Sequence, residues 1–238
     1  MNLRPFAKCI ARRIAHVLAL SALVLGLVVS FAPQADAVAT HTYYAIRPDF
    51  RICDPPLCGG YFVSRVNKTA TRCHDGREAD RCYVATVDWD PAGLGDDDIA
   101  AARERMDAEG AIVRASLGSQ VFSEAGALGT LSVTQAWGAE GPNQPAGTYT
   151  LVESTDIRCV TFPCPIFREH KLNALVNSDL ADLGWDSSGS SPEQIDEAAR
   201  VLETTRIIVV GERYWVSGPG GGGKGRTVTQ YFLPIPSP

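Results

Sequence analysis

The cysteines are the residues whose type and spacing could carry chemistry: Cys9 near the start, then Cys53, Cys58, Cys73, Cys82, Cys159 and Cys164. Two pairs share one spacing. Cys53-Asp54-Pro55-Pro56-Leu57-Cys58 and Cys159-Val160-Thr161-Phe162-Pro163-Cys164 each enclose four residues that include proline. Oxidised, each pair clips a small ring and holds an apolar side chain, Leu57 or Phe162, near a surface. A loop stiffened in advance loses less entropy when it binds. Pro55, Pro56, Leu57, Thr161, Phe162 and Pro163 are therefore the candidate binding residues, in the manner of an inhibitor's recognition loops. The plainer reading, that the bridges only fix a crossing between strands, has the stronger claim.

Other motifs fall short of a site. Gly218-Pro219-Gly220-Gly221-Gly222-Gly223-Lys224-Gly225 is one residue from a phosphate-binding P-loop, which needs Ser or Thr after the lysine to hold magnesium. Gly225 stands there instead, and residues 227–232 read as a strand where a P-loop needs a helix N-terminus. A flexible hairpin tip is expected, and no nucleotide. Asp88, Asp90, Asp96, Asp97 and Asp98 offer oxygens to calcium but lack the EF-hand spacing, and helix capping accounts for most of them. His41, His74 and His170 lie too far apart in sequence for a helical metal pair. Cys73-His74-Asp75-Gly76 reads as a bridge followed by a turn, not a zinc site. No G-x-S-x-G nucleophile elbow is present. No catalytic residue, metal or cofactor is assigned, and a hydrolase assembled from distant residues stays open as an alternative.

How the cysteines are read depends on where the chain goes. Arg4, Lys8, Arg12 and Arg13 form a positive head, residues 17–31 an uncharged apolar run, and Ala35-Asp36-Ala37 and Ala37-Val38-Ala39 two small-x-small cleavage sites. That order is a secretory signal, expected over residues 1–37. The apolar core is short for a membrane span, which takes roughly 20 residues. No membrane span is expected after cleavage, and the expected destination is secreted or periplasmic. Cleavage removes four of the 22 Lys+Arg and one of the 27 Asp+Glu, leaving a charge near −8. That sign repels phosphate backbones, so no nucleic acid partner is expected. Cys9 leaves with the signal. An even number of cysteines in an exported chain points to disulfides.

The chain also repeats itself. At an offset of 106, Thr42-Tyr43 meets Thr148-Tyr149, Cys53 and Cys58 meet Cys159 and Cys164, and Asn67 meets Asn173. At an offset of 96, Ile99, Ala102 and Met106 meet Ile195, Ala198 and Leu202. At 95, Ile112-Val113 meets Ile207-Ile208, Val133-Thr134-Gln135 meets Val228-Thr229-Gln230, and Trp137 meets Phe232. Two tandem modules are expected, at residues 42–138 and 148–233, with a Gly/Pro-rich linker at 139–147 and a tail at 234–238. The repeat orders the bridges. Cys159–Cys164 is the simplest pair in the second module, Cys53–Cys58 follows by analogy, and Cys73–Cys82 remains; a crossed set within residues 53–82 is the alternative.

Each module reads as α+β: a mainly antiparallel sheet or small barrel covered by one helix. Aromatic and β-branched runs give strands, with residues 82–88 alternating well enough for a single one. One helix starts at Asp96, Asp97 and Asp98, whose carboxylates suit capping and the helix dipole. The other starts at Ser191-Pro192-Glu193-Gln194, a capping box.

The stretch Arg51-Ile52-Cys53, then Leu57-Cys58-Gly59-Gly60-Tyr61-Phe62-Val63-Ser64-Arg65-Val66-Asn67, resembles a domain-of-unknown-function family of exported bacterial proteins. Arg158-Cys159 through Cys164-Pro165 resembles a second form of the same module. The resemblance covers both halves and implies no activity, catalytic residue or ligand. The expected function is a non-enzymatic exported protein, structural or binding a protein or cell-envelope partner. The alternative is an inhibitor-like or ligand-binding module that uses the two bridged loops.

Overall fold

The computed structural model describes residues 41–236, and the expected signal segment lies outside them. The first half contains β1 (Thr42–Pro48), β2 (Tyr61–Arg65), β3 (Thr71–Arg72), β4 (Glu78–Ala79), β5 (Cys82–Val84), β6 (Thr86–Asp88), α1 (Asp96–Asp107), β7 (Ala111–Phe122) and β8 (Gly126–Ala139). The second contains β9 (Thr148–Ser154), β10 (Phe167–Lys171), β11 (Asn177–Leu180), β12 (Asp182–Gly184), α2 (Pro192–Thr204), β13 (Ile207–Gly211), β14 (Arg213–Gly218), β15 (Gly221–Thr227) and β16 (Gln230–Ile235). The chain is mainly β, and most strands join one curled, largely antiparallel sheet.

That sheet runs β11-β10-β9-β13-β16-β8-β7-β1-β2-β5, with β6 added in parallel beside β8. It is not divided between the halves, because β8 and β16 pair directly and antiparallel, Leu233 opposite Gly138. On either side of this junction the order is the same: β8-β7-β1-β2 on one arm, β16-β13-β9-β10 on the other. Register agrees as well. Ala45 pairs with Ile112, which pairs with Trp137; Leu151 pairs with Ile208, which pairs with Phe232. Ile112 thus stands where Ile208 does, one residue away from the sequence pairing with Ile207.

Successive strand residues point to opposite faces, and both faces are covered. On the outer face of the first arm, Tyr44, Ile46, Val113 and Leu131 pack with Ala102 and Met106 of α1. On the second arm, Val152, Ile207 and Val209 pack with Ala198, Val201 and Leu202 of α2. The inner faces of both arms meet in a third core of Val66, Ile112, Trp137, Leu151, Leu172, Ile208, Val210 and Phe232. This explains why β13 reads Ile207-Ile208-Val209-Val210, apolar throughout: a strand covered on two faces loses alternation. Each fully buried Ile or Leu contributes about 1.5–3 kcal/mol.

The inner core is latched by two asparagines in the left-handed region, Asn67 (φ 58°) and Asn173 (φ 56°). Asn67 Nδ2 donates to Tyr149 O and Leu172 O at 2.7 and 3.0 Å, and its Oδ1 accepts from Tyr149 N–H at 2.9 Å. Asn173 Nδ2 donates to Tyr43 O and Val66 O at 2.8 and 2.9 Å, and its Oδ1 accepts from Tyr43 N–H at 3.0 Å. Each asparagine reaches from one arm into the first strand of the other.

Local signals resolved unevenly. Ser191 and Gln194 form the expected capping box on α2. Asp96, Asp97 and Asp98 fill the first turn of α1, but Gly95 occupies the N-cap and no side chain caps it. Their contribution is charge against the helix dipole. The expected strand over residues 82–88 breaks at Ala85, whose N–H donates to Gly129 O at 2.8 Å as the chain switches neighbours. β16 continues to Ile235, two residues into the expected tail, because Pro234 and Ile235 lie opposite Trp137 and Ala136.

Candidate functional site

The sulfurs pair as Cys53–Cys58, Cys73–Cys82 and Cys159–Cys164, and the crossed alternative does not occur. Both six-residue rings interrupt equivalent connections, β1 to β2 and β9 to β10. They sit on opposite arms of the sheet.

The base of the first ring is set by Asp49 and Arg51. Arg51 Nε donates to Asp49 Oδ1 at 2.9 Å and Nη2 to Oδ2 at 2.8 Å, while the Arg51 backbone N–H donates to Oδ1 at 3.0 Å. A two-pronged, charge-assisted contact of this kind fixes direction as well as distance. Nη2 also donates to Leu57 O at 3.0 Å. The guanidinium lies over the Phe62 and Tyr83 rings, 5.1 and 4.9 Å from their centroids, and Tyr83 Oη donates to Pro56 O at 2.7 Å. The Arg51 guanidinium beside Asp49 holds its carboxyl below the ordinary carboxylate value, against the opposing effect of burial. Above this base the tip is open: Leu57 is 51 % exposed, Phe50 and Ile52 more so, and Pro55 is exposed beside a half-buried Pro56.

The second ring rests on the glycine-rich run. β14 and β15 form a hairpin, so the run is an ordered ladder with no helix after it, and the phosphate-loop resemblance ends there. Gly220 N–H donates to Phe162 O at 2.8 Å. A Cβ at Gly218 would meet Phe162 O at 2.6 Å, and one at Gly223 would meet Pro163 Cβ at 3.0 Å. Only residues without side chains let the ring lie flat on this hairpin. Lys224 Nζ donates to Ser178 Oγ at 2.9 Å, which ties the hairpin to β11. Phe162 is 46 % exposed, Thr161 is exposed, Pro163 half-buried, and Val160 projects fully.

The hairpin itself is moored by Glu169, whose side chain is fully buried. Arg213 and Arg226 both pair with it, and Arg226 Nη1 donates to Gly211 O at 2.5 Å. The sequence reading missed this triad, since Glu169 lies 44 and 57 residues from its partners. It also missed Asp49 and Arg51, although two opposite charges two residues apart beside a proline ring were a visible signal.

The remaining candidates do not converge. Asp88 accepts from Asp90 N–H at 3.1 Å and Ser132 Oγ at 2.9 Å, a turn and a cross-strand bond. His170 Nε2 lies 3.2 Å from Glu153 Oε1, yet no hydroxyl bonds to His170 among the described residues. Burial pushes the Glu153 carboxyl up, but His170 and Arg206 outweigh it and hold it below its ordinary value. No group of three or more His, Cys, Asp or Glu is placed to hold a metal among the described residues. No helix there is long and apolar enough to cross a membrane.

A family model described as a domain of unknown function, DUF6748, matches residues 42–238. The chain belongs to the DUF6748 family. The DUF6748 match is one continuous hit that spans both arms and both bridged rings. No curated protein and no solved structure matches the chain.

Proposed function

We propose that this DUF6748 chain is an exported, non-enzymatic binding protein that presents its two disulfide-closed rings to a protein or cell-envelope partner. The observation that carries this reading is the combination of fixed bases and open apolar tips. Asp49, Arg51 and Tyr83 hold one ring, the glycine hairpin holds the other, and Leu57, Val160 and Phe162 remain accessible. Side chains ordered before contact lower the entropic cost of binding. Export is supported by the charged head, apolar run and cleavage sites of residues 1–37 and by three disulfides, which persist in oxidising compartments. We further propose that the chain is a tandem duplication of one unit. Supporting it are the equal strand order on both sides of the β8–β16 junction, the parallel pairings of β6 with β8 and of β12 with β15, and the reciprocal bonds of Asn67 and Asn173.

A photo-crosslinking amino acid at Leu57 or Phe162, in cells that export the protein, tests the proposal. Adducts with another envelope or extracellular molecule are expected at those positions and not at Asp196, on the exposed face of α2. Adducts at all three positions, or at none, would refute it.

A further inference from the structure

A cleft of about 430 Å³ lies where the end of α2 meets the sheet, walled by Tyr43, Arg114, Gln135, Trp137, Glu153 and Arg206 among others. Across the β8–β16 junction, like positions line a second cleft that includes Tyr149, Gln230, Phe232 and Arg47. The correspondence follows register: Gln135 lies opposite Arg114 as Gln230 lies opposite Val210, and Trp137 opposite Ile112 as Phe232 lies opposite Ile208.

The second cleft is smaller, about 170 Å³, because the chain itself forms part of its wall. Residues 141–145 line it, and the Gln230 carboxamide grips them as another peptide group would. Its Oε1 accepts from Gly141 N–H at 3.0 Å, and its Nε2 donates to Gly141 O and Asn143 O, each at 2.7 Å. The first cleft has no such segment along its wall among the described residues. Gln135 is exposed there, and its Oε1 lies 3.3 Å from Arg114 Nη1. Pro236 follows β16 where Gly141 follows β8, and proline has no N–H to offer a glutamine, so the chain at Pro236 does not repeat the grip.

The walls differ in a directed way. An ion pair faces each cleft, Arg47–Glu109 in the smaller one and Arg206–Glu153 in the open one. Glu203 on the open rim has an acidic counterpart in Asp107 of α1. Arg114 is not offset: it stands where the other arm has Val210, with no ion-pair partner among the described residues. Trp137 stands where the other arm has Phe232, and its indole N–H is buried without a hydrogen-bond partner. The unpaired Arg114 guanidinium is the difference that calls for acceptor oxygens.

We infer that this cleft binds an extended peptide of another polypeptide, its backbone held by Gln135 and a carboxylate held by Arg114. The inference rests on the duplication proposed above. An N-acetylated synthetic peptide of residues 141–146, which has no acidic side chain, is the probe, as the free acid, as the C-terminal amide, and as the amide with aspartate in place of Gln144. Binding is read from Trp emission and from amide chemical shifts around Gln135. An acid form is expected to bind, the neutral amide about tenfold more weakly, and Gln135→Ala and Arg114→Ala each to weaken binding about tenfold without moving Tm. The two acid forms tell a terminal carboxylate from a side-chain one. Absence of binding by either acid form, or binding untouched by Gln135→Ala, overturns the inference. Hydrogen exchange of residues 141–145 in Gln230→Ala separates the premises: faster exchange with no peptide binding leaves the duplication standing and this site refuted, whereas unchanged exchange removes the matching-cleft premise itself.

Discussion

Glu169→Val is the substitution from which most can be learned. The Glu169 side chain is wholly buried, Arg226 is 3 % exposed and Arg213 39 % exposed. Removing the carboxylate leaves the Arg226 guanidinium buried without a counter-charge, which costs about 3–5 kcal/mol. Arg213→Leu removes a contact that water partly replaces and costs about 1 kcal/mol. The other arm supplies the apolar alternative. By register, Glu169 stands where Val63 does, opposite Val152 and Ile46 respectively. Arg213 and Arg226 face each other as Leu117 and Leu131 do, and Val63 and Leu131 are fully buried. The triple variant Glu169→Val, Arg213→Leu, Arg226→Leu should therefore return to within about 2 kcal/mol of the starting protein, or exceed it, as buried ion pairs exchanged for packed apolar groups commonly do. Equilibrium urea denaturation of the singles and the triple measures this. Additive losses in the triple, or a Glu169→Val loss below about 1 kcal/mol, would refute both the burial argument and the equivalence of the arms.

Asn67→Ala and Asn173→Ala should each cost about 2–4 kcal/mol, with the two values within about 1 kcal/mol of each other, since each loses the same three bonds; denaturation midpoints decide it. Asp49 has a folded pKa held below its ordinary 3.8 by Arg51. Its contribution is thus present above that pH and lost as pH falls through the depressed value. Denaturation from about pH 2 to 6 should show an acid limb that flattens in Asp49→Asn. Opening the Cys53–Cys58 ring by a Cys53→Ser, Cys58→Ser pair should lower stability by only about 2 kcal/mol, because so short a loop gains little from closure; a calorimetric loss of cooperative unfolding would contradict this. Lys224→Ala should leave the melting temperature unchanged by magnesium-ATP, as in the parent.

What could be read in advance followed local physics. The capping box at Ser191 and Gln194 and the short-range bridges depend on residues close in sequence, and they appear as expected. The acidic start of α1 was legible as charge but not as a cap, because Gly95 takes the position where a side chain would have acted. The continuous sheet was not legible, since nothing in β8 or β16 alone says that each ends beside the other. Gln135 and Gln230 align at the 95-residue offset in the sequence, yet only the fold shows that Gln230 holds the backbone of residues 141 and 143. The glycine run drew attention for its likeness to a phosphate loop, whereas its packing role against Phe162 and Pro163 needed the ring to be in place.

Native mass spectrometry of the chain recovered from cells that export it tests the central proposal most directly. The account predicts a species beginning at residue 38 or 40, with three intact bridges, carrying a second molecule that is lost when Leu57 and Phe162 are both alanine. A bare chain with no bound molecule in the parent, or a bound molecule retained by the double variant, would contradict it.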